Sequence, residues 1–222
     1  MSSGLRVPNF EPGAFKLETR DWADLVKEDP LNVLVRYRPW SQTIYRFYVA
    51  TYGQMPRYAE FVKDIEAVGR GVTINFFDEE SELKAKLGEF ARDWVERPKF
   101  ASKYKRLTDE RFVDELYTNA GITSESSERA NFIDRLNHRA MTRAEVLLAI
   151  VNKPDFVERE ANRSLVLLHY FGYLHRNPED PPDKSLDGFN FWLKEMEASP
   201  NPRKLASAFM ESDEYKSGTL KK

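Results

Sequence analysis

The chain predicts an all-α fold made of three related three-helix units. The first observation is a phrase used three times: Trp94-Val-Glu-Arg-Pro-Lys-Phe100, Ile150-Val-Asn-Lys-Pro-Asp-Phe156 and Phe209-Met-Glu-Ser-Asp-Glu-Tyr215. Each is an apolar pair closing a helical stripe, two polar residues, Pro or Asp, a charge and an aromatic. The final rings lie 56 and 59 residues apart. A near-constant period of this length marks one structural unit copied along the chain. The second observation is apolar spacing, which is helical almost throughout. Whether the units pack as an elongated or a compact array is left open, and repeats of this kind build surfaces more readily than reaction centres.

Residues 1–40 stand apart as an N-terminal arm. Phe10-Glu-Pro-Gly-Ala-Phe15 reads as extended, and Asp21 to Lys27, carrying Trp22, is a short amphipathic helix broken at Pro30. A divergent first unit follows over 41–107. The helical repeat domain then covers 108–222 as two units, 108–160 and 161–216. The opening helices are Ser41 to Tyr52, Thr108 to Ala120 and roughly Asp155 to Leu174, with Tyr48, Tyr117 and Tyr170 at equivalent places. Ser41 and Thr108 are natural N-caps, since a side-chain oxygen there accepts from a free N–H of the first turn. Gly53, Gly121 and the Asn177-Pro178 pair stop these helices, by αL geometry or a missing donor. Second helices carry Phe61 with Ile65, Phe132 with Leu136 and Trp192 with Met196. Third helices carry Phe90 with Trp94, Val146 with Ile150 and Leu205 with Phe209. Every pair is spaced i, i+4 and so lies on one stripe. One insertion, about Gly69 to Glu80, contains the strand-like Val72 to Phe77 and reads as a loop or short β-ribbon.

Composition narrows the function classes. Hydrophobic residues are 41% and aromatics 13% of 222 residues, enough for a real core. Lys plus Arg number 34 against 36 for Asp plus Glu, a formal charge of −2. That balance argues against a partner made of nucleic acid, which demands a basic excess. With no cysteine, thiolate metal sites, disulfides and cysteine nucleophiles are excluded together. Three histidines in no metal-ligand grouping give zinc chemistry nothing to use: His169 reads as a core-edge residue, His138 and His175 as cations near helix C-termini. The first ten residues hold no apolar core of a secretory signal, and no run is long enough to span a membrane. A cytoplasmic setting, or attachment to a complex at a membrane surface, is favoured.

Two segments come nearest to chemical motifs. Asp183, Ser185 and Asp187 with Gly188 imitate the first half of a calcium loop, making Ca²⁺ a weak candidate cofactor, but Lys194 stands where a bidentate Glu is needed. The simpler reading is that Asp187 caps the helix beginning at Gly188. Lys99, Lys103, Lys105 and Arg106 form a basic cluster around Phe100 and Tyr104. Spacing i, i+4 turns those two rings inward and leaves the cations solvated, available to a protein partner. With the arm residues Phe10, Phe15 and Trp22, these cations are the candidate contact set. Phe100, Phe156 and Tyr215 complete the structural repeat positions.

The run His169-Tyr-Phe-Gly-Tyr-Leu-His-Arg-Asn-Pro-Glu-Asp-Pro-Pro-Asp-Lys-Ser-Leu-Asp-Gly-Phe-Asn-Phe-Trp-Leu193 resembles a bacterial family, the domain of unknown function numbered four-two-one-four. There a Tyr-rich helix enters an Arg-x-Pro-Asp-type turn, then a Gly and a Tyr/Phe-Trp helix. Phe112 to Gly121 and Ala206 to Tyr215 also fit. The resemblance is strongest over roughly 105–216 and does not reach the first forty residues. The family's units are similar in helical pattern to phycobilisome linker polypeptides and recur in surface-layer and haemolysin-type calcium proteins. The resemblance implies a helical, non-catalytic interaction module with no catalytic residues to carry over. Ile122-Thr-Ser-Glu-Ser-Ser127 replaces the Arg-x-Pro-Asp turn in the middle unit, which is a departure from the pattern.

Taken together, the sequence predicts a structural or scaffolding subunit, not an enzyme, that docks on other protein subunits in a larger assembly. The alternative is a calcium- or glycan-associated cell-surface module. Either way, no pocket is expected to be set aside for chemistry.

Overall fold

The computed structural model describes residues 38–70, 79–123 and 125–219. It is all-α, and no strand occurs among the described residues. The expected ribbon at 72–77 and the arm residues Phe10, Phe15 and Trp22 lie outside them. In chain order the helices are α1 (Arg38–Tyr52), α2 (Tyr58–Gly69), α3 (Glu79–Glu96), α4 (Pro98–Tyr104), α5 (Asp109–Ala120) and α6 (Ser126–Asn137). Then come α7 (Arg143–Val151), α8 (Pro154–His169), α9 (Asp187–Ala198), α10 (Pro202–Glu211) and α11 (Asp213–Thr219). A π-turn, Tyr170–Leu174, extends α8.

All three copies of the recurring phrase do the same local work. Each closes one helix (α3, α7, α10), breaks, and opens the next at Pro98, Pro154 or Asp213. Proline suits a first helical position because its missing N–H would be unpaired there anyway. The third residue of each new helix is the aromatic: Phe100 and Phe156 are buried, and Tyr215 is partly so. After Phe100 the chain turns before α5 begins. After Phe156 it runs on without interruption, so α8 fuses the closing and opening helices into one rod. The expected divisions at 40/41 and 160/161 therefore fall inside α1 and α8.

Helix α1 is the centre of the molecule and packs against α2, α5, α7 and α8. Nearly every residue from Ser41 to Thr51 is buried, including polar Thr43, Arg46 and Thr51. Burial of such groups is tolerable only when they are bonded. Arg46 donates from Nε to the Val151 carbonyl and from Nη2 to Thr43 Oγ1, while Thr51 Oγ1 accepts from Trp94 Nε1. Trp94 meets Phe47 and Tyr48 edge-on, and Phe90 lies at 5.4 Å. A second ring cluster joins α8, its π-turn, α10 and α11 through Tyr170, Tyr173, Phe209 and Tyr215.

Local signals account for most boundaries. Thr108 accepts from the Arg111 N–H as expected, and Gly53 and Gly121 end α1 and α5 at φ +67° and +61°. Four expectations need correction. Ser41 lies inside α1 and is not its cap; its Oγ is buried and, among the described residues, has no partner. The third opening helix stops at His175, in the left-handed region at φ 54°, before Asn177-Pro178 is reached. Helix α9 begins at Asp187 itself, whose side chain does not cap; the residue preceding the helix is Leu186. Its buried stripe is Phe189, Leu193 and Met196, with Trp192 only partly covered.

Candidate functional site

The polar groups sunk into this fold form clasps, each joining separate elements through a shared carboxylate or guanidinium. In the first, Tyr48 on α1 donates to Asp64 Oδ2 on α2 at 2.5 Å. Arg97, between α3 and α4, donates to both oxygens of the same carboxylate at 2.9 and 2.7 Å. The Arg97 guanidinium also lies 4.3 Å from the Trp94 ring centroid. Burial pushes the Tyr48 hydroxyl well above its usual range, and the charge of Asp64 adds to the effect. The hydroxyl is thus a fixed donor.

A second clasp reproduces the first with different residues. Tyr117 on α5 donates to Glu128 Oε2 on α6 at 2.7 Å, and Lys153 donates to the same oxygen at 2.6 Å. Lys153 occupies the same place in its phrase as Arg97, just before the proline. Partial burial alone would raise the Glu128 pKa, but the bonds from Lys153 and Tyr117 outweigh it and hold the carboxyl below 4.5. In the third unit the cation comes from elsewhere. Arg176, after the π-turn, binds Glu214 of α11 through Nε and Nη2, and Asp183 through Nη2. Its guanidinium lies 5.4 Å from the Tyr170 ring, whose hydroxyl burial pushes up to about 12.

The same residues show where the motif candidates went. Asp183 turns toward Arg176, and Ser185 Oγ accepts from the Asp187 N–H, so this loop bonds internally. Among the described residues, no three His, Asp or Glu are grouped to hold a metal ion. In the basic cluster, Phe100 and Tyr104 do turn inward, but the cations divide. Lys103 Nζ donates to the Thr51 carbonyl at 3.0 Å, whereas Lys99, Lys105 and Arg106 are exposed, Lys99 standing 4.4 Å over the Tyr52 ring. His138 is exposed beside Asp134, and His175 stacks on Tyr58. His169 is fully in the core, with Nδ1 2.8 Å from the Leu165 carbonyl.

Sequence reasoning missed one feature, a cavity of about 450 Å³ among α1, α5, α8 and the end of α9. Its floor is Tyr45 bonded to buried Glu160 at 2.7 Å. Arg159, Arg163, Asn119 and Glu197 are among its walls. The i, i+4 spacing of Arg159 and Arg163 was legible, but the approach of α1 and α9 to them was not.

Comparison with known families adds one finding. Residues 91–160 match the family model described as Domain of unknown function (DUF4214). This stretch, 70 of the 222 residues, is similar to that family. No curated protein and no solved structure matches the chain. The DUF4214 match begins within α3 and ends in the first turns of α8, so it holds the second clasp whole: Tyr117, Glu128 and Lys153. It also contains two of the three recurring phrases. The Tyr-rich run 169–193, which first suggested DUF4214, lies beyond the match. Only Arg159 and Glu160 of the cavity's α8 wall fall within it.

Proposed function

We propose that the chain is a structural, scaffolding component that docks within a larger protein assembly. The observation that carries this reading is the use made of four cations, one buried, two half-buried and one exposed, which close the C-terminal ends of helices other than their own. Lys103 bonds the Thr51 carbonyl of α1, and Arg46 bonds that of Val151, the last residue of α7. Arg143 bonds the carbonyls of Tyr104 and Leu107 at the end of α4, and Arg159 bonds that of Gly121 after α5. Helix ends carry unpaired carbonyls and the negative pole of the dipole, so a cation there ties two elements at once. Such groups rigidify a shape. Phe191, 56% exposed on α9, and Met210, 43% exposed on α10, add apolar contact area of the kind interfaces use.

The test is affinity capture from the source cells with the full chain and with a Phe191→Glu, Met210→Glu variant. A protein retained in stoichiometric amount by the native chain and released by the double variant is the expected result. A chain that elutes alone, as a monomer, at physiological salt would overturn the proposal.

A further inference from the structure

The cavity between α1, α5, α8 and α9 has no part in that docking role, and its charges are arranged for a ligand. Glu160 is 4% exposed, and one of its carboxylate oxygens holds the Tyr45 hydroxyl. Arg159 is committed twice, with Nη1 donating to the Gly121 carbonyl and Nε 3.5 Å from Glu160 Oε1. Arg163, with a side chain 44% exposed, touches Glu160 only at 4.0 Å, too long for a hydrogen bond. Glu197 faces the cavity from α9 and, among the described residues, has neither a hydrogen bond nor an ion pair. One guanidinium fork and one carboxylate therefore stand uncommitted across a space of about 450 Å³, within the range of small-molecule sites.

The sign of the ligand follows from the balance. Two arginines and two glutamates line the space. A lone anion on Arg163 would face both carboxylates, and a lone cation on Glu197 would face both guanidiniums. An uncharged ligand would take Arg163 and Glu197 out of water and return no counter-charge to either, which is costly. A ligand bearing both charges satisfies both. Val49 and Met55, on the α1 side, supply an apolar wall beside them.

We propose that this cavity binds a small zwitterion, a free α-amino acid or a dipeptide. Arg163 holds the carboxylate in its planar fork, Glu197 holds the ammonium, and the apolar side chain rests on Val49 and Met55. The site is independent of the docking role and stands or falls separately from it.

Isothermal calorimetry on the full chain tests this with L-leucine, the dipeptide Gly-Leu, and two half-ligands, isovalerate (no ammonium) and isoamylamine (no carboxylate). The expected result is that leucine or Gly-Leu binds and both half-ligands bind at least tenfold more weakly. Arg163→Ala and Glu197→Gln should each weaken binding at least tenfold, while Lys204→Ala on α10 leaves it unchanged. Isovalerate binding as tightly as leucine would overturn the proposal. So would the absence of binding by either zwitterion at millimolar concentration, or affinity indifferent to both cavity variants. Far-UV circular dichroism checks the variants, and if one unfolds, the half-ligand comparison on the native chain decides.

Discussion

Asp64 shows most sharply how single residues govern this fold. Its side chain is 10% exposed and accepts from Tyr48 and twice from Arg97. Removing it leaves a hydroxyl and a half-buried guanidinium without an acceptor, a worse outcome than losing the contacts alone. Asp64→Ala should destabilise by about 3 kcal/mol, against about 1 kcal/mol for Tyr48→Phe, which leaves Asp64 paired with Arg97. Urea denaturation monitored by circular dichroism distinguishes the two, and equal costs would refute the clasp as drawn. Glu128 makes a prediction about acid. Its folded pKa lies below 4.5, so its contribution is present above about pH 4.5 and is lost as pH falls through the lower folded value. Unfolding free energy measured between pH 6 and 3 should fall less steeply in Glu128→Gln than in the native chain. Unchanged slopes would show that the Lys153 and Tyr117 bonds do not hold in solution.

At the scale of the element, caps and stops decide where helices begin and end. Thr142 and Glu145 form a reciprocal capping box at the start of α7. The Thr-x-x-Glu spacing that builds it is local and legible in the chain. Thr142→Ala should cost about 1 kcal/mol in a urea melt. Gly121 is the stricter position. It sits at φ +61°, and an added Cβ would run into the guanidinium of Arg159. Gly121→Ala should destabilise by about 1–2 kcal/mol, from backbone strain and from the displaced arginine. In an Arg159→Ala background the steric part disappears, so a smaller cost there separates the two causes; the same cost in both would leave strain as the whole effect. Helix existence and most stops were legible because apolar spacing and glycine chemistry act over a few residues. The stop at His175 and the inward turn of Phe189 were not. Tertiary packing sets those, and it leaves no short-range signature.

The described residues pack compactly where the sequence left an elongated array open. Unit one touches unit three directly: Gln42 bonds Ser164, and the Tyr58 N–H bonds Asn177 Oδ1; Tyr45 bonds Glu160, the last residue of unit two. Arg57 adds ion pairs to Glu179 and Asp180. Those partners are separated by more than a hundred residues, beyond the reach of any periodicity argument. The repeated phrase was legible because it is local, and the cavity was hidden because its walls come from four helices. The family match teaches the same lesson, for its bounds cut through α3 and α8 and not between helices.

That long-range packing makes chain continuity at the exposed Lys105–Arg106 turn dispensable once the fold is assembled. Helices on one side of this point grip those on the other, α1 with α5, α7 and α8, and α3 with α7. Residues 1–105 and 106–222 produced as separate polypeptides should therefore reconstitute a single particle, just as a split reporter does. Two halves that stay apart on size-exclusion chromatography would show that these contacts need the covalent tether.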